Sequence, residues 1–142
     1  MRFPFAKQLL AAFLIAVAPL AVQAQQKSEH YKVVIQVSDA DPAKWNLALN
    51  NANNVLHDIG KGNVDIEIVA YGPGIGMLKG DSKVAPRLAQ ALDSSIGLMA
   101  CQNTMHNMKL EKADMYNGIA YVPAGVVHIM KRQREGWQYI RP

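Results

Sequence analysis

A single cysteine, Cys101, closes the apolar run Ser95-Ile96-Gly97-Leu98-Met99-Ala100, and the polar residues Gln102, Asn103 and Thr104 follow at once. The spacing predicts a short buried strand over Ile96 to Ala100 running into a helix start. A thiol at the carboxyl end of such a strand sits where open α/β sheets place their ligands. Helix N–H groups beside it would stabilise a thiolate. The competing role is a small apolar residue in a core, where an unpaired cysteine packs like any other hydrophobe. A thiol of ordinary pKa, ~8.5, is only about 3% thiolate at neutral pH. A helix terminus contributing about 1 kcal/mol raises that to roughly 20%. Fuller activation needs a cation, a further donor or a partner subunit. His106 is the basic residue nearest in sequence, five positions on.

The other chemistry-bearing groups give weaker signals. Asp39 and Asp41 follow a strand; Asp41 reads as a helix cap before Pro42, and Asp39 as a residue at the rim of a site. The segment Gly72-Pro73-Gly74-Ile75-Gly76-Met77-Leu78-Lys79-Gly80 invites a phosphate reading but fails its tests. It has neither the dinucleotide Gly-x-Gly-x-x-Gly spacing nor a phosphate-loop Gly-Lys-Ser/Thr. Gly72, Gly74 and Gly76 are instead candidates to line a crevice after a strand. Met99, Cys101, Met105, His106 and Met108 offer ligands suited to a soft metal such as Cu(I). Their spacing matches no established metal motif, and methionines also fill cores. No second cysteine and no Ser-His-Asp order completes a dithiol or hydrolase site.

The elements that must position these residues alternate regularly. Strands are expected at Tyr31 to Val37, Val64 to Tyr71, Ile96 to Ala100, Gly118 to Val122 and Trp137 to Arg141. Helices are expected at Ala43 to Ile59, Ser82 to Leu92, Asn103 to Leu110 and Ala124 to Glu135, the last with Val126, Val127, Ile129 and Met130 as its apolar positions. The order βαβαβαβαβ implies a mainly parallel sheet of about five strands covered on both faces, an α/β flavodoxin-like three-layer sandwich.

The chain has 142 residues. Arg2 and Lys7 precede an apolar run, Leu9 to Val22, that ends in small residues. Residues 1–24 therefore read as a secretory signal peptide, residues 25–30 as a short mobile leader and residues 31–142 as one domain. The run is shorter than the roughly 20 residues of a spanning helix, so no membrane attachment is expected after cleavage. Cleavage removes two basic residues and no acidic one, so the net charge falls from +4 to +2. No basic run interleaved with aromatics points to nucleic acid. In an oxidising compartment a solitary thiol must be buried, paired between chains or reactive.

Four stretches carry a family resemblance: Trp45 with Leu49-Asn50-Asn51-Ala52-Asn53-Asn54; Tyr71-Gly72-Pro73-Gly74; Ala100-Cys101-Gln102-Asn103-Thr104; and Glu135-Gly136-Trp137-Gln138-Tyr139-Ile140-Arg141-Pro142. On these the chain resembles the DsrE/DsrF-like family of small sulfur-relay proteins, over about Tyr31 to Pro142. The resemblance implies the flavodoxin-like fold, a homo-oligomer (trimer or hexamer) and a cysteine at the Cys101 position that carries sulfane sulfur as a persulfide. It implies no cofactor, and a sulfur donor or acceptor protein or a small polysulfide as partner. Two departures mark this chain: its export signal, which places it in the periplasm or outside the cell, and the segment after Cys101, which lacks the small-residue helix of active relay subunits. The expectation is a periplasmic sulfur carrier, sulfurtransferase-like if active, with Asn103, Thr104, Asp39, His106 and the Gly72–Gly76 loop around Cys101. The alternatives are a non-catalytic oligomeric binding module with a buried structural Cys101 and, third, a soft-metal binder.

Overall fold

The structure is a computed structural model that describes residues 30–142. The expected signal peptide, and the leader up to Glu29, lie outside the described residues. The strands are β1 (Tyr31–Val37), β2 (Val64–Ala70), β3 (Gly97–Cys101), β4 (Ala120–Val122) and β5 (Gln138–Ile140). Between them run α1 (Pro42–Ile59), α2 (Ala85–Asp93), α3 (Gln102–Asn107) and α4 (Gly125–Arg134). A 3-10 helix over Gly72–Leu78 and another over Lys112–Asp114 complete the order. All strand pairs are parallel, in the order β4-β3-β2-β1-β5.

The local causes are visible in the sequence. β1 and β2 are rich in Val and Ile and almost wholly buried, as central parallel strands must be. The Asp41 carboxylate accepts the Ala43 N–H at 2.8 Å and so caps α1, with Pro42 in its first turn. Gly60, at φ +93°, ends that helix. α2 starts at Ala85, three residues later than expected, so Pro86 falls in its first turn, where its missing N–H costs nothing.

The strand order fixes where each helix lies. Chain progress from β1 to β4 runs in one direction across the sheet, and right-handed crossovers put α1, α2 and α3 on one face. The return from β4 to β5, on the far side of β1, puts α4 on the other. The flavodoxin-like three-layer architecture is therefore present, but the order differs from the 2-1-3-4-5 of flavodoxin itself. The point where neighbouring strands send their chains to opposite faces lies between β3 and β4. That is the crevice in which such sheets bind ligands.

The two faces are packed differently. On the first, residues of β1, β2 and β3 such as Ile35, Ile68 and Leu98 meet Trp45, Leu49, Leu88, Met77 and Met105 in one continuous apolar core. On the second the buried apolar cluster is small: Val34, Val69, Val122, Ile129 and Trp137, with Tyr71 and Met99 against it. The apolar positions of α4 do not form its inward face. Val126, Val127 and Met130 are exposed, and only Gly125 and Ile129 of this helix are buried. The inward stripe is Gly125, His128, Ile129 and Arg132, at i, i+3, i+4 and i+7. Half of it is polar because it meets a carboxylate. Glu67 of β2 is buried, and its Oε2 lies 2.7 Å from His128 Nε2 and 2.9 Å from Arg132 Nε. Its Oε1 accepts from Arg132 Nη2 at 2.6 Å.

Candidate functional site around Cys101

Cys101 is the last residue of β3 and the N-cap of α3. β3 ends one residue later than the sequence suggested, so the thiol belongs to the sheet edge itself. Side chains alternate along a strand. Cys101 therefore shares the α4 face with Met99, while Leu98 and Ala100 enter the larger core. It lies at the β3/β4 switch point and pairs in register with Val122 of β4.

Two chain segments converge on its sulfur. The first residue of α4, Gly125, donates its backbone N–H to Cys101 Sγ at 3.2 Å. The Thr104 hydroxyl, in the first turn of α3, lies near enough to the sulfur to favour its anionic form. That hydroxyl is oriented in turn: its Oγ1 accepts the Gly72 N–H at 2.9 Å, leaving its proton for the sulfur. Gly72 presents its amide from a left-handed conformation, φ +52°, which a glycine adopts without strain. The Thr104 and Asn103 N–H groups also favour the thiolate, although the Asn103 amide is shared with the Pro123 carbonyl at 3.1 Å. Burial pushes the Cys101 thiol up, but the Thr104 hydroxyl and the Gly125, Thr104 and Asn103 amides together outweigh it, and the net shift is downward.

Gly125 packs closely on Tyr71. A Cβ there would lie 3.0 Å from Tyr71 Cβ and 3.1 Å from its Cδ1, so a larger residue needs Tyr71 or the start of α4 to give by a few tenths of an ångström. Tyr71 itself faces this site. Burial raises its phenol pKa, as do Tyr139, Asp39 and Cys101 nearby, against the opposing charge of Arg141.

The sequence-derived candidates separate. Cys101, Thr104 and Gly72 come together, with the Gly72 N–H on the Thr104 hydroxyl and that hydroxyl beside the sulfur, and Asn103 contributes backbone. Asp39 lies within electrostatic range of Tyr71, and its carbonyl holds the Trp45 indole N–H at 2.7 Å. Gly74 lines no part of this arrangement. It packs against β1, where a Cβ would collide with the Val37 carbonyl. A Cβ on Gly76 would lie 3.2 Å from the Trp45 ring. His106 is exposed in the last turn of α3 and lines a separate cavity of about 420 Å³ with Lys109, Lys112 and Tyr121. The activating groups expected from a base come instead from backbone amides and a hydroxyl. The methionines also part company: Met105 is in the larger core, Met99 packs on the opposite face, and Met108 is exposed. Among the described residues no group of three or more His, Cys, Asp or Glu side chains gathers as a metal site would require. No helix among them is long and apolar enough to cross a membrane.

Gly125, Tyr71 and the Glu67–His128–Arg132 cluster escaped the sequence reading. One signal was available for Gly125: Val122-Pro123-Ala124-Gly125 closes a parallel strand with small residues, as the segment before α3 does. No local pattern marks Glu67, because its partners lie more than sixty positions away.

No protein-family model matches the chain, and no curated protein matches it significantly. Solved structures do. MTH1491 from Methanobacterium thermoautotrophicum, a protein of unknown function, superposes with a TM-score of 0.75 at 34% identity, over 79% of this chain and 99% of its own. BT1422 from Bacteroides thetaiotaomicron, also of unknown function, superposes with a TM-score of 0.66 at 19% identity, over 82% of this chain and 98% of its own, and shares the fold. The chain belongs to the same family as MTH1491.

Proposed function

We propose that this member of the MTH1491 family is a carrier of sulfane sulfur on Cys101. The observation that supports the reading is the Gly125 N–H of α4 on the sulfur, with the Thr104 hydroxyl of α3 beside it, at the switch point of the sheet. Hydrogen bonds of this kind favour the anionic sulfur over the neutral thiol, and the thiolate is the nucleophile. The Cys101 thiolate attacks the outer sulfur of a persulfide R–S–SH. The S–S bond of the donor breaks, R–S⁻ leaves, and Cys101–S–SH remains. Attack by an acceptor thiolate on the outer sulfur reverses the step and regenerates Cys101–S⁻. No net oxidant or reductant is consumed, and no second cysteine is needed. The resemblance to the DsrE/DsrF-like proteins supports the same reading and a homo-oligomeric assembly; the apolar run after Arg2 and Lys7 supports export from the cytoplasm.

The experiment is sulfur loading followed by intact mass. Wild type incubated with polysulfide gains about 32 Da, one sulfur, and Cys101→Ala does not. Wild type without the gain contradicts the proposal. One observation favours a second reading, a non-catalytic oligomeric module: Cys101 is only 4% exposed. Alkylation of the folded protein separates the two, being fast for a carrier and as slow as global unfolding for a structural thiol.

A further inference from the structure

We propose that Glu67 is a positioning residue for Cys101: through His128 and Arg132 it sets the seat of α4, and thereby holds the Gly125 N–H on the sulfur. The inference concerns the reactivity of the thiol and does not depend on which group the thiol carries.

The start of α4 supplies a hydrogen bond to Sγ, yet α4 has little apolar grip on the sheet. Ile129 is its one buried side chain, since Gly125 has none. The rest of its inward stripe, His128 and Arg132, is bound to Glu67 in the middle of β2. The fork of Arg132 spans both carboxylate oxygens, an arrangement that fixes orientation as well as distance. Arg132 is itself held on both sides. Its Nη1 donates to Glu135 at 2.8 Å, and its guanidinium stacks over the Trp137 ring at 4.7 Å. The sheet makes room for this clamp. Gly97 of β3 lies beside Glu67, and a Cβ there would come within 3.2 Å of Glu67 Cγ and 2.8 Å of Met99 Cε. The clamp and the sulfur contact are thus two ends of one ten-residue helix. The titratable and charged groups around Glu67 are His128 and Arg132 from α4, with Glu135 beyond Arg132 and Lys32 of β1 acting on Glu135.

The test is the pH–rate profile of Cys101 alkylation by iodoacetamide in the full-length folded protein. Glu67→Gln keeps the shape of the side chain and removes its charge. With α4 loosened, alkylation at neutral pH is expected to fall about three- to tenfold, the upper figure being one hydrogen bond to a charged acceptor, and the profile midpoint to move up. His128→Gln, which leaves the Arg132 fork in place, is expected to move the midpoint in the same direction by less. The Gly125 amide, read by hydrogen exchange, loses protection in both. A folded Glu67→Gln protein with the wild-type midpoint and a protected Gly125 amide overturns the inference. If Glu67→Gln does not fold, the same readouts on His128→Gln decide. Failure of sulfur loading leaves these readouts untouched, so the two proposals fail separately.

Discussion

The two faces of this sheet are built on different physics. Under α1, α2 and α3 the contact is apolar and continuous, from Ile35 and Ile68 to Leu49 and Leu88, all but closed to solvent. Under α4 a few apolar side chains surround a buried carboxylate, and a histidine and an arginine on the helix reach down to it. Apolar burial is strong but non-directional, and it tolerates small shifts of a helix along the sheet. A forked ion pair contributes less net stability and much more geometry. The one thiol lies on the second face, where its activating amide depends on the position of a helix. The thick face supplies stability, and the thin face carries positional information to the site.

Substitutions that remove apolar volume sharpen this contrast most. Leu49→Ala in α1 is expected to cost about 4 kcal/mol in urea unfolding, toward the upper end of such deletions, because its surroundings are fully packed. Ile129→Ala in α4 is expected to cost about 2 kcal/mol, because the site borders solvent and exposed Val126 and Met130. Equal costs would mean that the faces do not differ as described. Arg132→Met attacks the clamp itself. Removing one partner of a fully buried pair costs roughly 3–5 kcal/mol. Here the Arg132 side chain is 28% exposed and His128 stays on Glu67, so about 2 kcal/mol is expected from the same unfolding curves.

Smaller effects belong to the sulfur. Thr104→Val keeps the volume of the side chain and deletes the hydroxyl. It is expected to slow Cys101 alkylation at neutral pH by up to about tenfold while leaving the melting temperature nearly unchanged. It also orphans the Gly72 amide, which then finds water. The smallest effect is the linkage of stability to pH. The native thiol lies below its ordinary value. Between the native and unfolded pKa values the unfolded chain therefore binds more protons, and stability rises with pH there. The stability difference between wild type and Cys101→Ala should grow in favour of wild type as pH rises through the native pKa. It should level off above about 8.5, the ordinary thiol value, and be lost again on acidification. A difference flat with pH would mean that the sulfur is not specially solvated in the native state.

Much of this arrangement could be read along the chain. Alternation of strands and helices, the Asp41–Pro42 cap and the β-branched strands all act locally, and they give the layered α/β fold. The place of Cys101 followed from the same local logic, as did Thr104 beside it. What escaped the reading is non-local. The strand order, and with it the switch point between β3 and β4, depends on which strand the chain returns to after α4. The donor from Gly125 is a backbone group 24 positions from the sulfur and has no side-chain signature. The inward face of α4 does not follow its apolar positions, because apolar periodicity assumes an apolar floor. With Glu67 beneath it, the helix turns His128 and Arg132 inward and leaves Val126, Val127 and Met130 to solvent. Nearness in sequence points to His106, yet five steps along α3 carry it into a different cavity.

The most direct measurement of the central claim is the pH dependence of Cys101 reactivity in the native wild-type protein, followed by alkylation rate or by thiolate absorbance. If the Gly125 amide and the Thr104 hydroxyl hold the sulfur as described, the midpoint falls below the ordinary thiol value of about 8.5 and labelling proceeds without unfolding. A midpoint at or above that value, with labelling no faster than global unfolding, would contradict the account and make Cys101 a core residue.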